Sequence, residues 1–229
     1  MIETVVLSLG GSLICPENID IEFLQKFKQL LFSFPKKRFA LICGGGHICR
    51  VYQKAAKELG VISAEELDRI GIKATKLNAE LVRTLFGNEA YEKVIDNPED
   101  TIKTNKRIII GAGYVPGSSS DLDAVHLAKN LGAKTVINLS NIDYLYDKDP
   151  KQFSDAQKIV KTTFKQLLEI TGKKWVPGKN VPFDPAASRQ AMLAGITVVL
   201  MNGRNLDNLK NYLDGKKFVG SVIDQLQCD

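Results

Sequence analysis

Short aliphatic and β-branched runs alternate along the chain with longer segments in which apolar residues recur every three or four positions. The runs have the length and composition of buried strands, and they cover residues 5–9, 39–43, 108–110, 135–139, 197–201 and 218–223. The periodic segments predict helices after Asp20, over 47–59, 64–86, 121–131, 163–170, 185–194 and 206–213. Because strands that alternate with helices form parallel βαβ units, we predict an α/β protein, a three-layer α/β/α sandwich with a mostly parallel central sheet.

Single residues set several of the element boundaries. Asp20 can cap the first long helix, which ends before Pro35, and Pro185 suits a first helical turn. Either Ser120 or Asp121 could start the helix that follows the 112–120 loop. Residues 140–157 read as a long loop, and residues 172–182 as a mobile Gly/Pro/Lys segment. In the longest helix one face is apolar, and we expect it to lie in the core or in a subunit interface; it consists of Leu67, Ile70, Ala74, Leu77 and Leu81.

Composition is that of an ordinary globular protein. The 229 residues are 44% hydrophobic and 25% charged, which suits one domain with a substantial core. No apolar stretch approaches the roughly 20 residues that span a bilayer, and no leader precedes the first strand, so we expect a cytoplasmic protein without a membrane partner. The four cysteines form no C-x-x-C pair and are expected to be reduced, without a metal site.

The net charge of +5 does not by itself indicate nucleic-acid binding. The lysines are dispersed, and the one short basic cluster, Lys36-Lys37-Arg38, is predicted to lie in a turn after Pro35. A modest positive charge also suits a small anionic substrate. We therefore expect no nucleic-acid partner.

Three glycine-rich turns carry the strongest chemical signal. Gly10-Gly11-Ser12, Gly44-Gly45-Gly46 and Gly111-Ala112-Gly113 each follow a predicted strand directly. Ligands of open α/β sheets bind at the carboxyl ends of the strands, where glycine lets backbone N–H groups approach an anion. Neither G-x-x-x-x-G-K-[ST] nor G-x-G-x-x-G occurs, so the turns predict phosphate binding by an arrangement other than those two motifs.

Six ordered motifs then make a family resemblance specific. They are LSLGGS (7–12), CGGG (43–46), LDRIGIKATKLNA (67–79), PGSSSD (116–121), NIDYLYDKDP (141–150) and FDP (183–185). Together they resemble the amino-acid-kinase superfamily and, within it, the archaeal type of UMP kinase. The resemblance implies ATP-dependent phosphorylation of UMP to UDP with Mg²⁺, on a single domain over residues 1–229. Acceptor binding would fall to about 1–135 and ATP binding to about 136–229, and the protein would be a homo-oligomer, a hexamer built from dimers.

The resemblance also implies roles for individual residues. The catalytic set would be Asp121, Gly10, Gly11 and His47. The UMP-binding set would be Gly44, Arg50, Asp68, Tyr114, Gly117, Ser118, Ser119 and Ser120. The ATP-binding set would be Gly10, Gly11, Ser12, Gly45, Ser140, Asn141, Tyr146 and Asp149. Asp121 would organise the reaction centre rather than act as a strong base, because phosphoryl transfer asks mainly for positioning and charge neutralisation.

Two positions depart from the family pattern. Ser8 and His47 stand where many members carry lysine. Arg50, Mg²⁺, or a loop lysine such as Lys148 or Lys179 could supply the charge, and so could a protonated His47. A kinase of another small acid or phosphate, or a non-catalytic nucleotide- or oxyanion-binding protein of the same fold, remains an alternative function.

Each candidate also has a purely structural interpretation. The triple glycine could be an ordinary tight turn, and Asp121 or Asp184 could simply cap a helix. Asp68 could be a solvated helix residue, and His126 a packing or surface histidine.

Overall fold

The computed structural model describes residues 2–150, 152–172 and 181–225. The strands are β1 (Glu3–Leu9), β2 (Lys37–Cys43), β3 (Ile108–Gly111), β4 (Thr135–Ser140), β5 (Leu145–Tyr146), β6 (Lys158–Ile159), β7 (Lys161–Thr163), β8 (Thr197–Asn202) and β9 (Ser221–Asp224). The helices are α1 (Gly11–Ile14), α2 (Ile21–Phe32), α3 (Gly46–Glu58), α4 (Ala64–Phe86), α5 (Ser120–Leu131), α6 (Phe164–Thr171), α7 (Pro185–Ala194) and α8 (Leu206–Leu213), with a 3₁₀ turn at Gly87–Glu89.

Seven strands form one sheet in the order β3-β2-β1-β4-β8-β9-β7. The first five of these are parallel neighbours, and the register pairs Leu9 with both Cys43 and Leu139. Parallel strands in this register end at the same edge of the sheet, so the residues after β1, β2, β3, β4 and β8 lie together. The predicted mostly parallel sheet is confirmed. The exceptions are β9, which runs antiparallel to β8, and β7, which runs parallel to β9.

Helices cover both faces of the sheet. Successive side chains of a strand point to opposite faces: Leu7 and Leu9 join a core with α1, α2, α4 and α8, whereas Val6 joins a second core with α5, α6 and α7. Each core contains fully buried aromatic residues, Phe27 in the first and Phe164 in the second. The predicted three-layer sandwich is thereby confirmed.

The buried face of α4 differs from the predicted apolar stripe. Leu77 is 60% exposed and Leu81 38% exposed, so of the two predicted locations the core is excluded for them, and the subunit interface stays a prediction. The buried face instead contains Gly71, Ala74, Asn78, Ala79, Val82 and Phe86. Small residues on this face let α4 lie close to the backbone of the turns at the sheet edge.

Several boundaries also differ from the sequence prediction. Helix α5 begins at Ser120, one of its two predicted starts, and Ser119 caps it by accepting a hydrogen bond from the Leu122 N–H. The long loop contains the hairpin β5–β6, and the last strand begins at Ser221 rather than at 218. Lys37 and Arg38 belong to β2 and not to the preceding turn.

Three cysteines lie within the described residues, and all three are free thiols: Cys15, Cys43 and Cys49. Cys228 and residues 173–180 lie outside the described part of the chain. Among the described helices, none is both long enough and apolar enough to cross a membrane.

Candidate active site

The first two glycine turns pack backbone against backbone at the carboxyl edge of the sheet. The Gly10 N–H donates to Leu139 O at 3.0 Å, and the Gly44 N–H donates to Leu9 O at 2.9 Å. A Cβ on Gly11 would lie 2.0 Å from the Gly46 nitrogen, and Gly46 has a φ of +63°. No larger residue fits at Gly11, so the packing of the two turns itself requires glycine there.

Helix α4 supports the glycine turns with two polar side chains. Asn78, buried at 2% exposure, donates through Nδ2 to Gly44 O at 2.8 Å and to Gly45 O at 3.1 Å. Thr75 Oγ1 accepts from the Gly113 N–H at 2.9 Å. The sequence reasoning assigned neither residue a role, although both lie within the 67–79 motif and interrupt a helix face that is otherwise small and apolar.

Asp121 lies in the first turn of α5 and reaches across to the central strands. Its Oδ1 accepts from the Ser8 hydroxyl at 3.0 Å and from Asn138 Nδ2 at 2.7 Å, and its Oδ2 accepts a longer bond from the Asp184 N–H at 3.4 Å. Ser8 and Asn138 are themselves buried on β1 and β4. Asp121 is therefore held at the sheet edge by its neighbours, and the interpretation of this residue as a helix cap is wrong.

The environment of Asp121 makes its negative charge costly. Burial raises the pKa of its carboxyl to about 6, and the charge of Asp184 adds to this rise, while the hydrogen bonds from Ser8, Asp184 and Asn138 favour the ionised form. In the part of the chain that the structure describes, all three hydrogen bonds to this carboxylate come from neutral donors. Ser8 thus bonds the carboxylate without neutralising its charge.

Asp184 places a second carboxylate next to Asp121. It is buried and caps α7 by accepting from the N–H groups of Ala186 and Ala187, with Pro185 in the first turn. The helix-cap interpretation of Asp184 is confirmed, and its backbone N–H bonds Asp121 in addition.

The loop that the resemblance assigns to the acceptor lies between α4 and α5. The Gly117 N–H donates to Asp68 Oδ2 at 3.0 Å, so Asp68 is not merely a solvated helix residue. On the other side the Tyr114 N–H and the Ser118 hydroxyl both donate to the carboxylate of Asp123, which the sequence reasoning missed. Its only signal was an acidic residue inside an apolar helix face.

The predicted ATP-binding residues follow β4. Ser140 ends this strand, its carbonyl accepts from the Gly203 N–H at 2.8 Å, and its hydroxyl is buried without a protein partner. Asn141 follows it and is exposed, Tyr146 lies half-buried in β5, and Asp149 lies in the exposed loop after that strand. Ser140 thus lies at the same edge as the first glycine turn. Tyr146 belongs to β5, and Asp149 lies in the loop that joins β5 to β6.

The candidate cations differ in how firmly they are already paired. His47 is half-buried at the start of α3, where its backbone N–H donates to Cys15 O at 2.8 Å. Arg50 is exposed about one turn later. Lys148 is paired with Asp155 at 2.6 Å and also lies over the Phe153 ring. Lys179 lies outside the described residues. His126 bonds Glu99 at 2.9 Å, as a surface or packing histidine would.

The site holds few metal-ligating side chains. Within the described ranges, no group of three or more His, Cys, Asp and Glu side chains is arranged to hold a metal ion. At the edge of the sheet, the carboxylates of Asp121 and Asp184 are neighbours.

Known proteins resemble the chain over nearly its whole length. The model of the amino acid kinase family matches residues 3–202. The uridylate kinases of Thermoplasma volcanium and Thermoplasma acidophilum are 33% and 30% identical to it, over 98% and 99% of this chain and 99% of each relative. The crystal structure of uridylate kinase from Archaeoglobus fulgidus is similar with a TM-score of 0.82 at 32% identity, covering 96% of this chain and 99% of that one. The chain belongs to the amino acid kinase family.

Proposed function

We propose that this protein is a UMP kinase that transfers the γ-phosphoryl group of ATP to UMP, giving UDP and ADP. The observation that carries the proposal is the close backbone packing of the first two glycine turns beside Asp121, at the carboxyl edge of the sheet. Full-length relatives named uridylate kinase, at 30% identity or more, support this acceptor.

The chemistry needs little beyond positioning and charge stabilisation. A phosphate oxygen of UMP attacks the γ-phosphorus, the bond from that phosphorus to the β–γ bridging oxygen breaks, and ADP leaves with the electron pair. Phosphate monoesters lose their second proton at a pKa of about 6, so the acceptor is already ionised at neutral pH. No strong base is needed, which agrees with a carboxylate held by three hydrogen bonds.

The first glycine turn would stabilise the moving phosphoryl group. We propose that backbone N–H groups of Gly10, Gly11 and Ser12, at the start of α1, face the oxygens on which charge spreads in the transition state. Gly44 and Gly45 would lie between donor and acceptor, with their carbonyls held away by Asn78. His47 would add a donor beside them.

The residues present suit a Mg²⁺ ion that enters with ATP. Magnesium in such sites is usually held by one or two carboxylates together with substrate phosphates and water. Asp121 and Asp184 supply that number of carboxylates, and a dedicated protein cage is absent from the described residues. When bound, the ion would neutralise charge on the phosphates; Asp121 and Asp184 would help to hold it.

Acceptor and donor would bind in different halves of the chain, about 1–135 for UMP and about 136–229 for ATP. We propose that Arg50 pairs with the UMP phosphate, that Asp68 accepts from the ribose hydroxyls, and that the loop from Tyr114 to Ser120 surrounds the base. A carboxylate accepts several hydrogen bonds, so Asp68 can keep its bond to Gly117.

On the donor side, we propose that Ser140, Asn141, Tyr146 and Asp149 hold the adenine nucleotide. The buried, unpaired hydroxyl of Ser140 favours a ligand at that point, because buried polar groups are nearly always hydrogen-bonded. We further propose a cytoplasmic homo-hexamer, on the family resemblance.

A panel of acceptors tests the function. The protein is incubated with Mg-ATP and UMP, CMP, AMP, carboxylate amino-acid derivatives or isopentenyl phosphate, and ADP release is measured. We expect release with UMP well above the rate without acceptor. Release only with another acceptor would reassign the substrate, and nucleotide binding without turnover would indicate a non-catalytic member of the fold.

A further inference from the structure

A second carboxylate on α5 is buried where the helix faces the core. Asp123 is 1% exposed, and its neighbours Ala124, Val125 and Leu127 are buried apolar residues. Burial raises the pKa of Asp123 to about 6 against the hydrogen bonds from Ser118 and Tyr114. An ionised carboxylate in such surroundings is costly unless it is paired, so its contacts explain why the position is not apolar.

Those contacts come from the acceptor loop. Asp123 Oδ1 accepts from the Ser118 hydroxyl at 2.7 Å, and Oδ2 accepts from the Tyr114 N–H at 3.2 Å. The side chain has no part in capping α5, because Ser119 does that. Asp123 therefore joins two points of the loop, four residues apart, to a helix.

The remaining anchors of the loop lie on the opposite side. Thr75 holds the Gly113 N–H and Asp68 holds the Gly117 N–H, both from α4. Asp123 is the buried carboxylate among the three anchors, and it is two residues after Asp121 on the same helical turn. The geometry couples the shape of the loop to the position of the reaction centre.

We propose that Asp123 is a positioning residue that holds the 113–118 loop in the shape that accepts the UMP nucleotide. The inference rests on the proposed function for the identity of the acceptor. The contacts themselves do not depend on it: two loop donors converge on one buried carboxylate. Among the described residues, its removal leaves Thr75 and Asp68 of α4 as the side chains that bond the backbone of the loop.

Two variants and a control test the role. Asp123→Ala removes both contacts. Asp123→Asn keeps an acceptor for the Tyr114 N–H and presents an amide donor to the Ser118 oxygen, so it should restore them. Asp207→Ala removes an exposed first-turn carboxylate from α8, a helix of the opposite layer, and controls for the loss of one helix-start charge.

Steady-state kinetics should separate positioning from general damage. We expect Asp123→Ala to raise KM for UMP about tenfold or more, because loss of the contacts to Tyr114 and Ser118 lowers the population of the loop shape that binds the nucleotide, with much smaller changes in kcat and in KM for ATP. Asp123→Asn should recover most of the loss, and Asp207→Ala should match the wild type. Equal falls in kcat for both Asp123 variants, or an unchanged KM for UMP, would overturn the proposal.

Amide hydrogen exchange provides a readout that needs no turnover. In Asp123→Ala the Tyr114 amide should exchange about tenfold faster or more, whereas the amides at the middle of α5 keep their protection. Unchanged exchange at Tyr114 would contradict the role of Asp123 whatever the substrate. A wild-type protein that does not phosphorylate UMP, yet shows the exchange effect, would overturn the proposed function and not the loop contact.

Discussion

Replacement of Asp121 by asparagine should make the protein more stable at neutral pH while it removes activity. The side chain keeps its size and an oxygen that can accept from Ser8 and Asn138, but it loses a charge that the surroundings disfavour. Active-site groups commonly lower stability in this way, because the arrangement that serves chemistry is not the one that folding favours.

The size of this stability change follows from the raised pKa of Asp121. Since the folded-state pKa of Asp121 is about 6 and the ordinary value is 3.8, the folded protein binds the proton more tightly than the unfolded chain does. The unfavourable effect of Asp121 is absent well below pH 3.8, develops as the pH rises from 3.8 to about 6, and reaches about 3 kcal/mol above that range. Between about pH 4.5 and 7.5 the change is about 2 kcal/mol.

The assay compares urea unfolding of the wild type and Asp121→Asn by circular dichroism across this pH range. The free energy of unfolding of the variant relative to the wild type should rise by about 2 kcal/mol from pH 4.5 to pH 7.5. Asp123 also has a raised pKa, but it is present in both proteins, so its effect cancels in the comparison. Asp214→Asn is the control: hydrogen bonds from Lys210 and Lys216 lower the pKa of Asp214 below 3.8. The stabilising effect of that carboxylate is therefore nearly complete by pH 4.5, and the stability of this variant relative to the wild type should stay nearly constant up to pH 7.5.

Turnover of UMP should fall about 100-fold or more in Asp121→Asn. A stability difference that does not change with pH would refute the electrostatic account of Asp121. Full activity in the variant would refute its place at the reaction centre.

Two further predictions concern the glycine turns. His47→Ala should lower turnover more than it weakens UMP binding, measured by kinetics and calorimetry, and unchanged turnover would remove His47 from the site. Asn78→Ala should lower the free energy of unfolding by about 1–3 kcal/mol, because two carbonyls lose a buried donor. The exposed Asn88→Ala should change it by less than about 0.5 kcal/mol, and equal effects of both variants in urea would contradict the support role of Asn78.

The central strands, the turns that follow them and one helix cap could be predicted from the sequence, because local sequence patterns determine them. Apolar runs such as Val5–Leu9 are too short for a helix and too apolar for a loop, and the observed strand extends that run by two residues. Parallel strands place their carboxyl ends together, so the glycine turns and Ser140 were expected at one edge of the sheet. Asp184 was expected to cap its helix, and it does.

The rest depends on contacts between distant elements, which periodicity does not reveal. Leu77 is apolar and yet 60% exposed in this chain, whereas Asn78 is polar and buried because it reaches the carbonyls of Gly44 and Gly45. Asp123 and Asn138 acquire their roles from a loop and a helix that approach them only in the folded chain. Two-residue strands such as β5 carry too few residues for any pattern.

The central claim is most directly tested by following the phosphoryl group itself. The protein is given ATP labelled at the γ-phosphorus together with UMP and Mg²⁺, and the products are separated by chromatography. The account predicts that the label appears in UDP at a rate that saturates with UMP and is lost in Asp121→Asn. Label released as inorganic phosphate, or left in ATP while UMP is bound, would contradict it.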